Sequence, residues 1–80
     1  MKIGKIEIKE GDRIRFMIGI RIFIGTIKQI TEYNDVIVED LLGNIIAFKP
    51  RNAKFIQLLT EEEWNRILER YNQNKNQNKK

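Results

Sequence analysis

Between Arg13 and Ile24 a large apolar residue occupies every even position (Ile14, Phe16, Ile18, Ile20, Ile22, Ile24), while Arg13, Arg15, Met17, Arg21 and Phe23 hold odd ones. A period of two belongs to strands, whose successive side chains point to opposite faces, and it argues against a helix here. The run is longer than a common strand. Gly19 interrupts it, so it reads as two strands joined by a turn or sharp bend. The isoleucines form the expected core face and the arginines the expected outer face.

The stretch that follows, Gly25 to Asp40 (GTIKQITEYNDVIVED), reads as a hairpin. Ile27 and Ile30 carry the outgoing strand, Glu32-Tyr33-Asn34-Asp35 supply a polar turn, and Val36-Ile37-Val38 supply a β-branched return. Gly25 reads as a second bend, where a small barrel must coil its strand strongly. Upstream, residues 2–9 alternate loosely as one short edge strand, ended by Glu10-Gly11-Asp12. Downstream, Asp40 to Asn44 reads as a turn and Ile45 to Lys49 as a strand that Pro50 ends, since proline cannot donate to a ladder. Ala53 to Leu59 reads as the last strand.

One helix is expected, over about residues 61–72. Thr60 with Glu63 forms a capping box, Leu59 and Trp64 fit a hydrophobic staple, and Glu61, Glu62 and Glu63 suit the positive end of the helix dipole. Trp64, Ile67, Leu68 and Tyr71 then build one apolar stripe, expected to pack across an open end of the barrel or to face a partner. Residues 73–80 contain no apolar side chain and are expected to form a disordered basic tail behind a single domain of residues 1–71.

Eighty residues bury a limited interior. The chain has no Cys and no His, so a disulfide or a structural zinc site has no ligands, and self-association is the remaining staple. No Ser is present either, which excludes a conventional serine triad, a thiolate nucleophile and an imidazole base. The expectation is a non-enzymatic protein with no catalytic residues, no metal, no cofactor and no small-molecule substrate. No run of residues suits a membrane span or a signal peptide, so a cytoplasmic protein is expected. The net charge of +4 is concentrated at the end: Lys75, Lys79 and Lys80 account for three of fifteen basic residues, which leaves twelve against eleven acidic ones elsewhere. Any basic interface must therefore come from clustering.

Short strands separated by Gly- or Asn-containing turns indicate an all-β, strongly bent, five- to six-stranded, partly open barrel with one C-terminal helix. Glu10-Gly11-Asp12-Arg13-Ile14 and Gly25-Thr26-Ile27 resemble the SH3-like small barrels. Within that group the chain is most similar to the Sm-like (Sm/Hfq) family. Gly25, Ile27, Ile30, Val36, Val38 and Asp40 fill the scaffold positions of the first Sm motif, and Phe48-Lys49-Pro50-Arg51-Asn52 with Phe55-Ile56 is similar to the second. The resemblance covers about half the chain and consists mostly of hydrophobic spacing. It implies an RNA-binding barrel whose base-contacting positions correspond to Tyr33 or Asn34, Asp35 and Lys49. Thr31, Asp35 and Pro50 depart from the family pattern, and an acidic Asp35 repels phosphate.

Two functions follow as expectations. The first is nucleic-acid binding, to RNA or DNA, through Tyr33, Lys49, Arg51, Lys54, Arg13, Arg15, Arg21 and Lys28, with Tyr33 stacking on a base. The arginines serve equally well as a solvated outer face with cross-strand partners such as Glu7. The second is a protein-interaction or homo-oligomeric assembly module that uses Met17 and Phe23, two large apolar groups on the nominally outer face. The alternative for that pair is that strand twist and the Gly19 bend carry both into the core.

Overall fold

A computed structural model describes residues 1–77, with side chains described as far as Gln73. Its main element is a five-stranded antiparallel sheet built from β3 (Arg13–Ile18), β4 (Arg21–Ile30), β5 (Val36–Asp40), β6 (Ile45–Phe48) and β7 (Phe55–Leu58). The order is β6-β5-β4-β3-β7, so four strands form a meander and the last returns beside the first. A separate two-stranded hairpin, β1 (Lys2–Ile3) with β2 (Ile6–Glu7), precedes it. One helix, α1 (Glu61–Gln77), ends the described chain.

The segment expected as one edge strand over residues 2–9 is therefore a hairpin. Gly4 at φ 59° turns the chain, and Ile8 beyond it is fully buried.

The apolar alternation behaves as expected only as far as Gly19. Ile14 and Phe16 are fully buried, and Ile18 packs against them. The turn at Gly19-Ile20 has two residues, with Gly19 at φ 61°, and it pairs Ile18 with Arg21, Phe16 with Phe23 and Ile14 with Gly25. Paired residues share a face. A two-residue turn therefore pairs each even position of β3 with an odd position of β4, and the inward set changes parity. Ile20 and Ile22, expected in the core, are 90% and 56% exposed. Phe23, expected outside, packs inward and stacks on Phe16 with ring centroids 5.3 Å apart.

A second parity change follows within β4. The register slips between Ile27 and Gln29, leaving Lys28 as the extra residue of a bulge, so that Ile27 and Ile30 both reach the core despite being three apart. Strand β4 runs unbroken through Gly25. A methyl group placed there would meet the Glu39 carbonyl oxygen and lie 2.5 Å from Val38 Cγ1, so glycine permits the close approach of β5.

The sheet is strongly coiled. Phe16 on β3 and Phe48 on β6 stack with centroids 4.1 Å apart, although three strand spacings of a flat sheet would separate their strands by about 14 Å. Ile8, Ile14, Phe16, Ile27, Val36, Val38 and Phe48 form the core inside this curl. Pro50 ends β6 and opens a 3-10 turn, Pro50–Asn52, that leads to β7.

The capping box forms as the sequence predicts: the Thr60 amide donates to Glu63 Oε1 at 2.9 Å and the Glu63 amide to Thr60 Oγ1 at 3.1 Å. The helix continues to Gln77, beyond the expected end near 72, and the part of the expected tail at residues 78–80 lies outside the described residues. Trp64 is buried outside the central core, with the Arg13 guanidinium 5.1 Å from its ring. Tyr71 shares a cleft with Ile22 and Ile24. The helix thus approaches Arg13 and Arg15 of β3 and Ile22 and Ile24 of β4. Among the described residues no helix is long and apolar enough to cross a membrane.

Candidate functional site

The β4–β5 turn is built by Thr31. Its hydroxyl oxygen accepts the amides of Tyr33 at 3.3 Å and Asp35 at 3.0 Å. Its backbone accepts from the Asn34 amide and donates to the Asp35 carbonyl. Asn34 sits at φ 66°, a left-handed conformation that Asn tolerates better than most residues. So tightly bonded a turn leaves the Tyr33 ring no place in the core, and Tyr33 is 72% exposed.

Lys49, at the end of β6, reaches back to this turn. Its Nζ lies 2.8 Å from Asp35 Oδ1 and donates to the Tyr33 carbonyl oxygen at 3.1 Å. Beside this latch is an open cleft of about 420 Å³ lined by Met1, Lys2, Ile3, Tyr33, Asn34, Lys49, Pro50 and Arg51. Three cationic side chains and one exposed aromatic ring meet there, and no carboxylate lines the cleft. Asp35 is not among the lining residues, but its carboxylate is paired with Lys49, which is.

Of the eight residues expected to form a basic and aromatic face, the cleft gathers Tyr33, Lys49 and Arg51. Lys54 is exposed at the start of β7, where its amide donates to the Met17 carbonyl oxygen, and its side chain does not line the cleft. Arg13 lies over Trp64, and Arg15 lines a cleft with Glu63, Arg66, Ile67, Glu69, Arg70 and Gln73. Both therefore sit against α1. Arg21 does not share their face: the Gly19-Ile20 turn places it opposite Ile18, with its guanidinium 5.3 Å from the Phe23 ring. Lys28 occupies the bulge and pairs with Glu39 at 3.6 Å. The odd-position face expected to hold Arg13, Arg15 and Arg21 is thus divided, because the turn at Gly19-Ile20 changes the strand parity before Arg21.

The expected contact pair divides as well. Phe23 belongs to the core, whereas Met17 stays on the outer face, paired across the sheet with Ile22 and Phe55. Lys2 was not among the expected site residues. It is far in sequence from Tyr33 and Arg51, and only the β1–β2 hairpin brings it there.

At the far end of the hairpin pair, Asp40 closes the β5–β6 turn. Burial pushes its carboxyl upward, but hydrogen bonds from Asn44, Leu42 and Gly43 outweigh that and hold it below its usual value. This carboxylate organises a turn, with Leu42 and Asn44 amides at 2.9 Å and 2.8 Å from Oδ1.

Comparison with protein-family models, with curated proteins and with solved structures returns no match. The Sm-like resemblance therefore rests on residue spacing alone.

Proposed function

We propose that the protein is a non-enzymatic nucleic-acid-binding module, a partly open small barrel of the SH3-like, Sm-like kind, that takes a single-stranded segment of RNA or DNA in the cleft beside Tyr33. The observation that carries this reading is the meeting of exposed Tyr33 with Lys2, Lys49 and Arg51 around one cleft that no carboxylate lines. Single-strand binders combine a cationic groove with aromatic side chains on which bases stack, at about 1–3 kcal/mol per base. The curl that brings Phe16 onto Phe48 supports the barrel. A titration with single-stranded RNA, and separately with duplex DNA, followed residue by residue by NMR tests the reading. Shifts are expected at Tyr33, Asn34, Lys49 and Arg51 with the single strand. Shifts confined to α1 or to Ile20, Ile22 and Leu42 would sink it.

A second reading, homo-oligomeric assembly, has its own support. Strands β6 and β7 are each paired on one side only, and Ile45 on β6 is 61% exposed. Unpaired edges are templates for strand addition between chains. Light scattering that returns the mass of one chain at working concentration removes this reading.

A further inference from the structure

Lys49 differs from the other cations of the cleft because its ammonium group is already engaged. Asp35 Oδ1 at 2.8 Å and the Tyr33 carbonyl oxygen at 3.1 Å take two of its three protons, and both partners belong to the β4–β5 turn. Lys49 itself is fixed at the junction of β6 and the Pro50 turn. One side chain therefore ties together two of the loops that line the cleft. Lys2 and Arg51 have no ion-pair partner among the described residues.

We propose that Lys49 is a positioning residue that holds Tyr33 as a platform over the cleft, that Asp35 masks its charge, and that phosphate contact falls to Lys2 and Arg51. This rests on the nucleic-acid reading of the cleft and divides its cations into two roles. The physical ground is that a phosphate approaching Lys49 meets the Asp35 carboxylate beside it. Only cations that neutralise phosphate release counterions, so only they contribute to the salt dependence of binding, at about 0.7 in logarithmic slope per contact for a single strand.

The test is the affinity of a short labelled single-stranded RNA of mixed sequence, measured across a salt series for the full chain and five variants. Lys2→Gln and Arg51→Gln are each expected to flatten the slope by about 0.7. Lys49→Gln is expected to weaken binding at every salt concentration without changing the slope, and Lys49→Arg, which can still pair with Asp35, to restore the affinity. A fifth variant, Asp35→Asn, is expected to steepen the slope by about 0.7, because it frees the Lys49 charge. If Lys49→Gln flattens the slope as Arg51→Gln does, and Asp35→Asn leaves it unchanged, the division of roles is overturned.

A readout without ligand separates this inference from the reading beneath it. In the free protein, backbone order parameters at Tyr33 and Asn34 are expected to fall in Lys49→Gln and to hold in Arg51→Gln. Unchanged values in Lys49→Gln overturn the clamp. Failure of the wild-type protein to bind the RNA overturns the nucleic-acid reading and the phosphate roles of Lys2 and Arg51, while the clamp is still judged on the order parameters.

Discussion

Replacing Gly25 by alanine sets two effects of opposite sign against each other, and the geometry decides between them. Where an alanine fits, removing a glycine stabilises a fold by about 0.4–1 kcal/mol through the unfolded chain. At Gly25 it does not fit. The new methyl group would overlap the Glu39 carbonyl oxygen and lie 2.5 Å from Val38 Cγ1, and the carbonyl belongs to the paired strand, where Thr26 faces Glu39. A ladder carbonyl moves only with its strand, so the overpacking cost falls near the upper part of the usual range of about 1–3 kcal/mol. The net expectation is a loss of about 2 kcal/mol, or a Tm lower by about 8–16 °C in a domain of this size.

Urea unfolding followed by the fluorescence of Trp64, the only tryptophan, and by far-UV circular dichroism measures this loss. An unchanged m-value would assign it to the native state. The Val38→Ala background then separates the two clashes: if Val38 Cγ1 carries part of the cost, the double variant should be more stable than the sum of the single changes by about 1 kcal/mol. A Gly25→Ala protein as stable as the parent, or more so, would refute the claim that glycine is needed for the approach of β5 to β4.

Phe23→Ala should cost about 2 kcal/mol, less than truncation of a fully buried aromatic because the ring is half-buried against the core, while Ile22→Thr on the opposite face should stay within about 0.5 kcal/mol in the monomer; the reverse ranking in urea unfolding would contradict the parity change at Gly19-Ile20. At the start of α1, hydrogen bonds from the Thr60 amide and hydroxyl hold the Glu63 carboxyl below its ordinary value of 4.5, with Arg15 and Arg66 adding to the effect. A depressed carboxylate stabilises the fold above its unfolded pKa and loses that contribution as pH falls through the folded value, so helix content should decline below a pH of about 4.5. Glu63→Gln, which keeps a side chain able to cap, should remove that component of the acid titration, and an unaltered titration would show that the cap is not its source.

The scaffold was legible wherever a local rule governed it. Period two marked β3, the β-branched run marked β5, Pro50 marked the end of β6, and Thr60 with Glu63 marked the start of α1. A local rule fails where it is carried across a turn. Even positions read as core on both sides of Gly19, yet a two-residue turn pairs Ile18 with Arg21 and hands the core to odd positions. The spacing of Ile27 and Ile30 already contained the second correction. Residues three apart in one strand cannot both face inward unless an extra residue intervenes, and Lys28 is that residue.

The candidate site was less legible because the availability of a charge depends on its partner, and partners are set by topology. Arg13, Arg15, Arg21 and Lys28 looked equivalent along the chain. In the fold, Trp64, α1, Phe23 and Glu39 engage them in turn, whereas Lys2, which carried no signal of its own, lies in the cleft with Tyr33 and Arg51. Asp35 is the instructive residue. As a departure from the Sm-like pattern it counted against phosphate binding, and in isolation that inference is sound. Its carboxylate pairs with Lys49 and neutralises a single cation, while its backbone amide, bonded to the Thr31 hydroxyl, helps to fasten the turn that exposes Tyr33. Under the clamp proposed for Lys49, the same pairing lowers the positive charge of the cleft and tethers the turn, so removal of the carboxylate should make binding more salt-dependent without making the site better formed.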